Sequence, residues 1–119
     1  MAIVVQWDNP ERSIIRWDFE PEWTWEELAD TARVSSAMIA SADGDVDVIL
    51  HAVDTQPPNE RITRYQRSAL SYTPSNIRML VLVAGRQMAA AQVVAPFFEQ
   101  LEIAETLAHA RDMLMMQTA

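Results

Sequence analysis

The sequence predicts an α/β fold: a mixed β-sheet that opens with an antiparallel hairpin, continues in parallel strands and packs against about four helices. Three observations predict it. Two early segments alternate apolar and polar residues around a turn sequence, two later runs are almost continuously apolar, and helical patterns separate those runs. At 119 residues the chain suits a single domain spanning 1–119, with no room for a second core.

The first strand is expected over Ala2–Asp8, with Ile3, Val5 and Trp7 on one side. The second is expected over Ser13–Glu20, where Ile15, Trp17 and Phe19 alternate with Arg16, Asp18 and Glu20. Between them, Asn9-Pro10-Glu11-Arg12 reads as a turn, because Pro10 restricts φ and Asn9 can bond its own backbone. Trp7 and Trp17 then fall on the core side.

Thr24-Trp25-Glu26-Glu27 has the form of a capping box, with Trp23 and Leu28 placed to staple the helix entry. The helix should run to about Ser41, with Leu28, Ala32 and Ile39 on its inner stripe and Gly44 in the turn that follows. Asp47–Asp54 is apolar enough for a strand covered on both faces. Glu60 to about Tyr72 reads as a helix with Ile62, Tyr65, Ala69 and Tyr72 inward, and Ile77–Ala84 as another buried strand ending at Gly85. Arg86–Leu101 is helical in pattern, broken or kinked at Pro96. A short edge strand over Glu102–Glu105 and a last helix over Thr106–Gln117, capped by Thr106, complete the order.

Composition narrows the function classes. The net charge of −8 disfavours generic binding to nucleic acid or anionic membrane. There is no lysine, so Schiff-base chemistry and a phosphate-loop lysine are excluded, and two glycines cannot build a glycine-rich phosphate loop. No cysteine is present, which removes disulfides and thiolate chemistry. No apolar run is long enough to span a bilayer, and the first residues lack the basic and apolar regions of a secretory signal. A cytoplasmic location is therefore expected.

The element order resembles that of the STAS family, named for sulfate transporters and anti-sigma-factor antagonists. The likeness covers the hairpin Ile3–Glu20, the strand Val46–Val53 and the last helix at Thr106, with Asp54 after the strand and the step Glu105-Thr106-Leu107 as local cues. More narrowly, the chain is similar to short stand-alone bacterial STAS-like proteins of unassigned function. The resemblance implies a regulatory module that binds another protein. In the family a serine or threonine after the strand is phosphorylated, and here only Asp54 and Thr55 correspond. No glycine follows them, and Pro57 and Pro58 stiffen the loop.

Candidate contact residues follow from position and charge. Asp54, Thr55, Gly85, Arg86 and Asn59 should gather at the carboxyl edge of the parallel strands, where α/β sheets tend to bind ligands; Asn59 would alternatively cap a helix. Arg61, Arg64 and Arg67 recur every third residue and would either grip a partner's carboxylates or phosphates or form a solvated face, with Arg64 pairing to Glu60. Val93, Val94, Phe97 and Phe98 make the next helix apolar around most of its circumference, serving either the core or a homodimer. Met113, Met115 and Met116 would fill core gaps or meet a partner, and the four tryptophans, all before position 26, are expected in the core rather than in a ligand cage. His51 reads as a satisfied core histidine, and His51 and His109 make no metal-ligand pattern. Since no residues combine nucleophile, base and oxyanion donor, the expectation is a non-enzymatic protein-interaction module without cofactor or metal. The alternative is a carrier for an anionic or amphipathic small molecule held at the strand edge.

Overall fold

Residues 2–56, 58–71, 74–85 and 101–118 are described in a computed structural model of the chain. Five strands form one sheet in sequential order: β1 (Ile3–Trp7), β2 (Ile14–Phe19), β3 (Val46–His51), β4 (Ile77–Val83) and β5 (Leu101–Ala104). β1 and β2 pair antiparallel, and every later pair is parallel. Helix α1 (Trp25–Ala40) connects β2 to β3, and α2 (Arg64–Ser71) lies between β3 and β4. The last helix, α3 (Leu107–Thr118), follows β5. The mixed α/β sheet is as expected; three helices stand among the described residues, and the one expected over 86–101 lies outside them.

Two crossovers that step the same way across a sheet place their helices on the same face. On that face Ile15, Trp17, Val48, Leu50 and Leu82 pack with Leu28, Ala32 and Ile39 of α1 and with Leu70 of α2. The other face of the central strands carries Ile49, Val81, Val83 and Ala104. α3, which follows β5, folds over this second face, where Ala110 and Leu114 cover it. β3 is thereby buried on both sides, as its run of apolar residues demands.

Local chemistry sets the joints. Asn9 Oδ1 accepts from the amides of Ser13 and Ile14, holding the hairpin turn in which Arg12 adopts a positive φ of 55°. The capping box at α1 is complete: Thr24 Oγ1 accepts from the Glu27 amide at 3.1 Å, and the Glu27 carboxylate accepts from the Thr24 amide at 3.0 Å. Thr106 Oγ1 accepts from the His109 amide and caps α3 as expected. Arg78 occupies an irregularity in the β3–β4 register, between the residues paired with Val46 and Asp47. From there its guanidinium donates to both oxygens of buried Asp47 and to the Leu114 carbonyl of α3, fastening the last helix to the sheet.

Three expectations need correction. β3 ends at His51 rather than Asp54, because Val53 and Asp54 form a turn in which Asp54 takes a left-handed φ of 57°. α2 begins at Arg64 rather than Glu60: Thr63 is its cap, with Thr63 Oγ1 accepting from the Gln66 amide and Gln66 Oε1 accepting from the Thr63 amide. The shift turns Tyr65 outward, 72% exposed, instead of into the core, although Ile62 does pack against it. Tyr72 lies outside the described residues.

Substitution of Ile49 by alanine should cost about 2–5 kcal/mol, since it empties a fully buried position, whereas Thr24→Ala should cost about 1 kcal/mol by opening the cap. Urea unfolding followed by circular dichroism measures both, and the ranking of the two is the test.

Candidate functional site

The carboxyl edge of the parallel strands is closed by its own loops. Thr55 is buried, and its hydroxyl donates to the Glu20 carbonyl at 2.6 Å, joining the loop after β3 to the loop after β2. The Gln56 amide adds a bond to the Pro21 carbonyl. Asp54 is exposed at this edge, and Gly85 has φ 65°, where an added Cβ would meet Val53 Cγ1 at 3.2 Å. Asn59 is exposed in the loop five residues before α2 begins and does not cap it. Arg86, Val93, Val94, Phe97 and Phe98 lie outside the described residues. The edge therefore unites Asp54, Thr55 and Gly85, with the Thr55 hydroxyl already committed.

The arginine-bearing segment lies on the α1–α2 side. Trp25 Nε1 donates to the Glu60 carbonyl at 2.8 Å, which pins the chain just before Arg61 against α1. Ile62 turns in, and Arg61 and Arg64 turn out. Arg61 precedes the helix, so the regular one-sided spacing expected of Arg61, Arg64 and Arg67 holds only for the last two. All three are exposed. Neither Arg61 nor Arg64 has a side-chain partner among the described residues, so the expected Glu60–Arg64 pair is not formed. Beside them a groove of about 300 Å³ runs between α1 and α2, lined by Glu26, Asp30, Arg33, Thr63, Tyr65 and Gln66. Arg33 pairs with Asp30 and stands over the Tyr65 ring, 5.1 Å from its centroid.

A third cluster escaped the sequence reading. It occupies the face of the hairpin opposite α1. Arg16 donates to Asp8 and, through Nε at 2.9 Å, to Asp18; Gln6 Nε2 donates to Asp18 at 2.7 Å. His51 Nδ1 lies 3.1 Å from the same carboxylate. Arg111 of α3 reaches back to grip both oxygens of Asp8 at 2.7 and 3.0 Å. His51 is thus a half-exposed partner of Asp18 rather than a core histidine. Parity gives the signal that could have found this cluster. With Ile15 and Trp17 facing α1, Arg16 and Asp18 must share the other face with Gln6 across the hairpin. His51 joins only through the β2–β3 register, which sets it opposite Asp18.

Three of the four tryptophans do lie in the core, at 4–6% exposure, with Trp23 edge-on to both Phe19 and Trp25. Met113 of α3 packs against the second core cluster, while Met115 and Met116 are exposed. Among the described residues no group of three or more potential ligands could hold a metal, and no helix is long and apolar enough to cross a membrane.

Charge in the third cluster is internally balanced. Hydrogen bonding from Arg111 chiefly, then attraction to both arginines, holds the Asp8 carboxyl below the ordinary range despite its burial. For Asp18 burial pushes upward, but the donations from Arg16, Gln6 and His51 together outweigh it and leave the group lowered. A carboxyl lowered in the folded state stabilises the fold fully above its unfolded pKa, about 3.9, and loses that contribution as pH falls through the folded value. Asp8→Asn should therefore cost about 2 kcal/mol at neutral pH, the worth of a charge-assisted bond set, and flatten the decline of stability below about pH 4. Urea midpoints collected from pH 7 to pH 2 give both numbers.

Compared with known proteins, the chain matches no family model, no curated protein and no solved structure.

Proposed function

We propose that this chain is a non-enzymatic, regulatory protein-interaction module that uses Arg61, Arg64, Arg67 and the neighbouring Tyr65 to bind an acidic segment of a partner protein. The observation that carries it is that Arg61 and Arg64 are exposed and have no side-chain partner among the described residues, in a chain of net charge −8. Four other arginines, Arg16, Arg33, Arg78 and Arg111, each hold a carboxylate of the fold. Two cations in the first turn of α2 also oppose the helix dipole, so their placement costs rather than adds stability. Tyrosine and arginine together are the residue types that dominate binding energy at interfaces. The overall acidity does not defeat such a contact, because charges beyond about 8 Å are screened at physiological salt.

A STAS-like membership belongs to the same proposal and has the element order in its support; proteins of that family act by binding other proteins. The reading of a small-molecule carrier at the strand edge has less behind it, since the Thr55 hydroxyl there is buried and already donated.

Affinity capture from the cell of origin, with wild-type protein and with the triple variant R61A/R64A/R67A side by side, tests the proposal. The expected result is a partner with an acidic segment that wild type retains and the folded triple variant binds at least about tenfold more weakly, equivalent to about 1.4 kcal/mol. Equal retention by both proteins would rule this surface out.

A further inference from the structure

We propose that β1 is a dimerisation edge, pairing antiparallel with β1 of a second copy to make one continuous sheet across the two chains. Among the described residues β1 has β2 on one side and no strand on the other. The hairpin register decides which groups face that open side. The Asp8 amide donates to the Ile14 carbonyl and the Glu20 amide to the Ala2 carbonyl, so the even-numbered residues of β1 carry the bonds to β2. The amides and carbonyls of Ile3, Val5 and Trp7 therefore point outward, and none has another partner among the described residues.

Proteins ordinarily blunt such an edge with a charge, a proline or a bulge. β1 has none of these: Ile-Val-Val-Gln-Trp is uncharged, rich in β-branched residues and regular in register. Its neighbour Asp8 is turned inward to two arginines, with a side chain only 3% exposed. In a chain with 17 acidic residues, this is a stretch on which two copies can meet without opposing like charges.

The same strand selects its partner. Antiparallel pairing about Val5 sets Val5 against Val5, Ile3 against Trp7 and Val4 against Gln6, all neutral pairs. The opposite edge of the sheet, β5, is shorter and exposes Glu102, so a β1–β5 contact would be poorer and would not close. A two-fold axis through Val5, perpendicular to the sheet, also brings both α1 helices to the same face. The flank of α1 toward β1 begins at Glu27, whose carboxylate accepts from the Ala2 amide, and continues with Thr31, Val34 and Met38. Val34 is 48% exposed and Val4 46% exposed, one on each side of the edge, so the contact has an apolar component above and below the new hydrogen bonds.

Light scattering and sedimentation of the whole chain at high micromolar concentration test this, together with amide exchange. Wild type should show twice the 13.5 kDa chain mass, with protection of the Ile3, Val5 and Trp7 amides that rises with protein concentration. Val5→Pro removes an outward amide while leaving the bonds to β2, and should yield a folded monomer. Val34→Glu, on an exposed position, should weaken dimerisation at least tenfold without changing the circular dichroism spectrum, so the test survives if the proline variant does not fold. The variant R61A/R64A/R67A should dimerise as wild type does, which separates this result from the fate of the α2 surface. A monomeric wild type, a dimer whose Ile3, Val5 and Trp7 amides exchange freely, or a dimer unaffected by Val34→Glu would each overturn the proposal.

Discussion

Double-sided burial of β3 is the constraint from which the rest of the molecule follows. Val46, Val48 and Leu50 point one way and Ile49 the other, all at 0–1% exposure. A strand of this kind cannot sit at an edge, so it needs a neighbour on each side and a helix over each face. β2 and β4 supply the neighbours, α1 the first cover and α3 the second. Each cover is then locked by polar chemistry at its margin. The Trp17 indole donates to Ser35 at 3.0 Å beneath α1, and Arg78 ties the end of α3 to Asp47. Such bonds add little net energy apiece, but leaving their buried partners unpaired would cost more than they contribute.

The same architecture explains why polar groups on the two halves of the α3-side face behave differently. Over β3, β4 and β5 that face is apolar and covered. Over β1 and β2 it is open, and there Gln6, Arg16, Asp18 and His51 make a mutually satisfied carpet. An aspartate oriented toward an imidazole has the outward form of a general-base pair. Asp18, however, also accepts from Arg16 and Gln6, so its lone pairs are distributed among three donors within the fold. The reverse condition holds at α2. Arg64, like Arg61 just before the helix, is exposed and has no side-chain partner among the described residues.

Much of the fold was legible because it depends on short-range pattern. Alternation revealed the hairpin, the apolar run within Asp47–Asp54 revealed a buried strand though not its end, and Thr24-x-x-Glu27 marked the start of α1 to the residue. A second box of the same form, Thr63-x-x-Gln66, was available to mark α2. Missing it put the helix start four residues early and turned Tyr65 the wrong way. The polar carpet was half legible: parity alone aligns Arg16 with Asp18, but the partners His51 and Arg111 come from strand register and helix docking, which no local pattern encodes. Asp54, Thr55 and Gly85 do come together at the strand edge, yet what Thr55 does there depends on a carbonyl 35 residues away.

One feature of that carpet has a bearing on how the chain is made. Asp8 and Arg111 are separated by 103 residues, so at a synthesis rate of about 5–20 residues per second the carboxylate waits roughly 5–20 s on the ribosome for its second cation. Arg16, eight residues on, is its first cation and belongs to the same hairpin. The arginine on the last helix then acts as a late latch, closing only after the sheet it crosses has been completed.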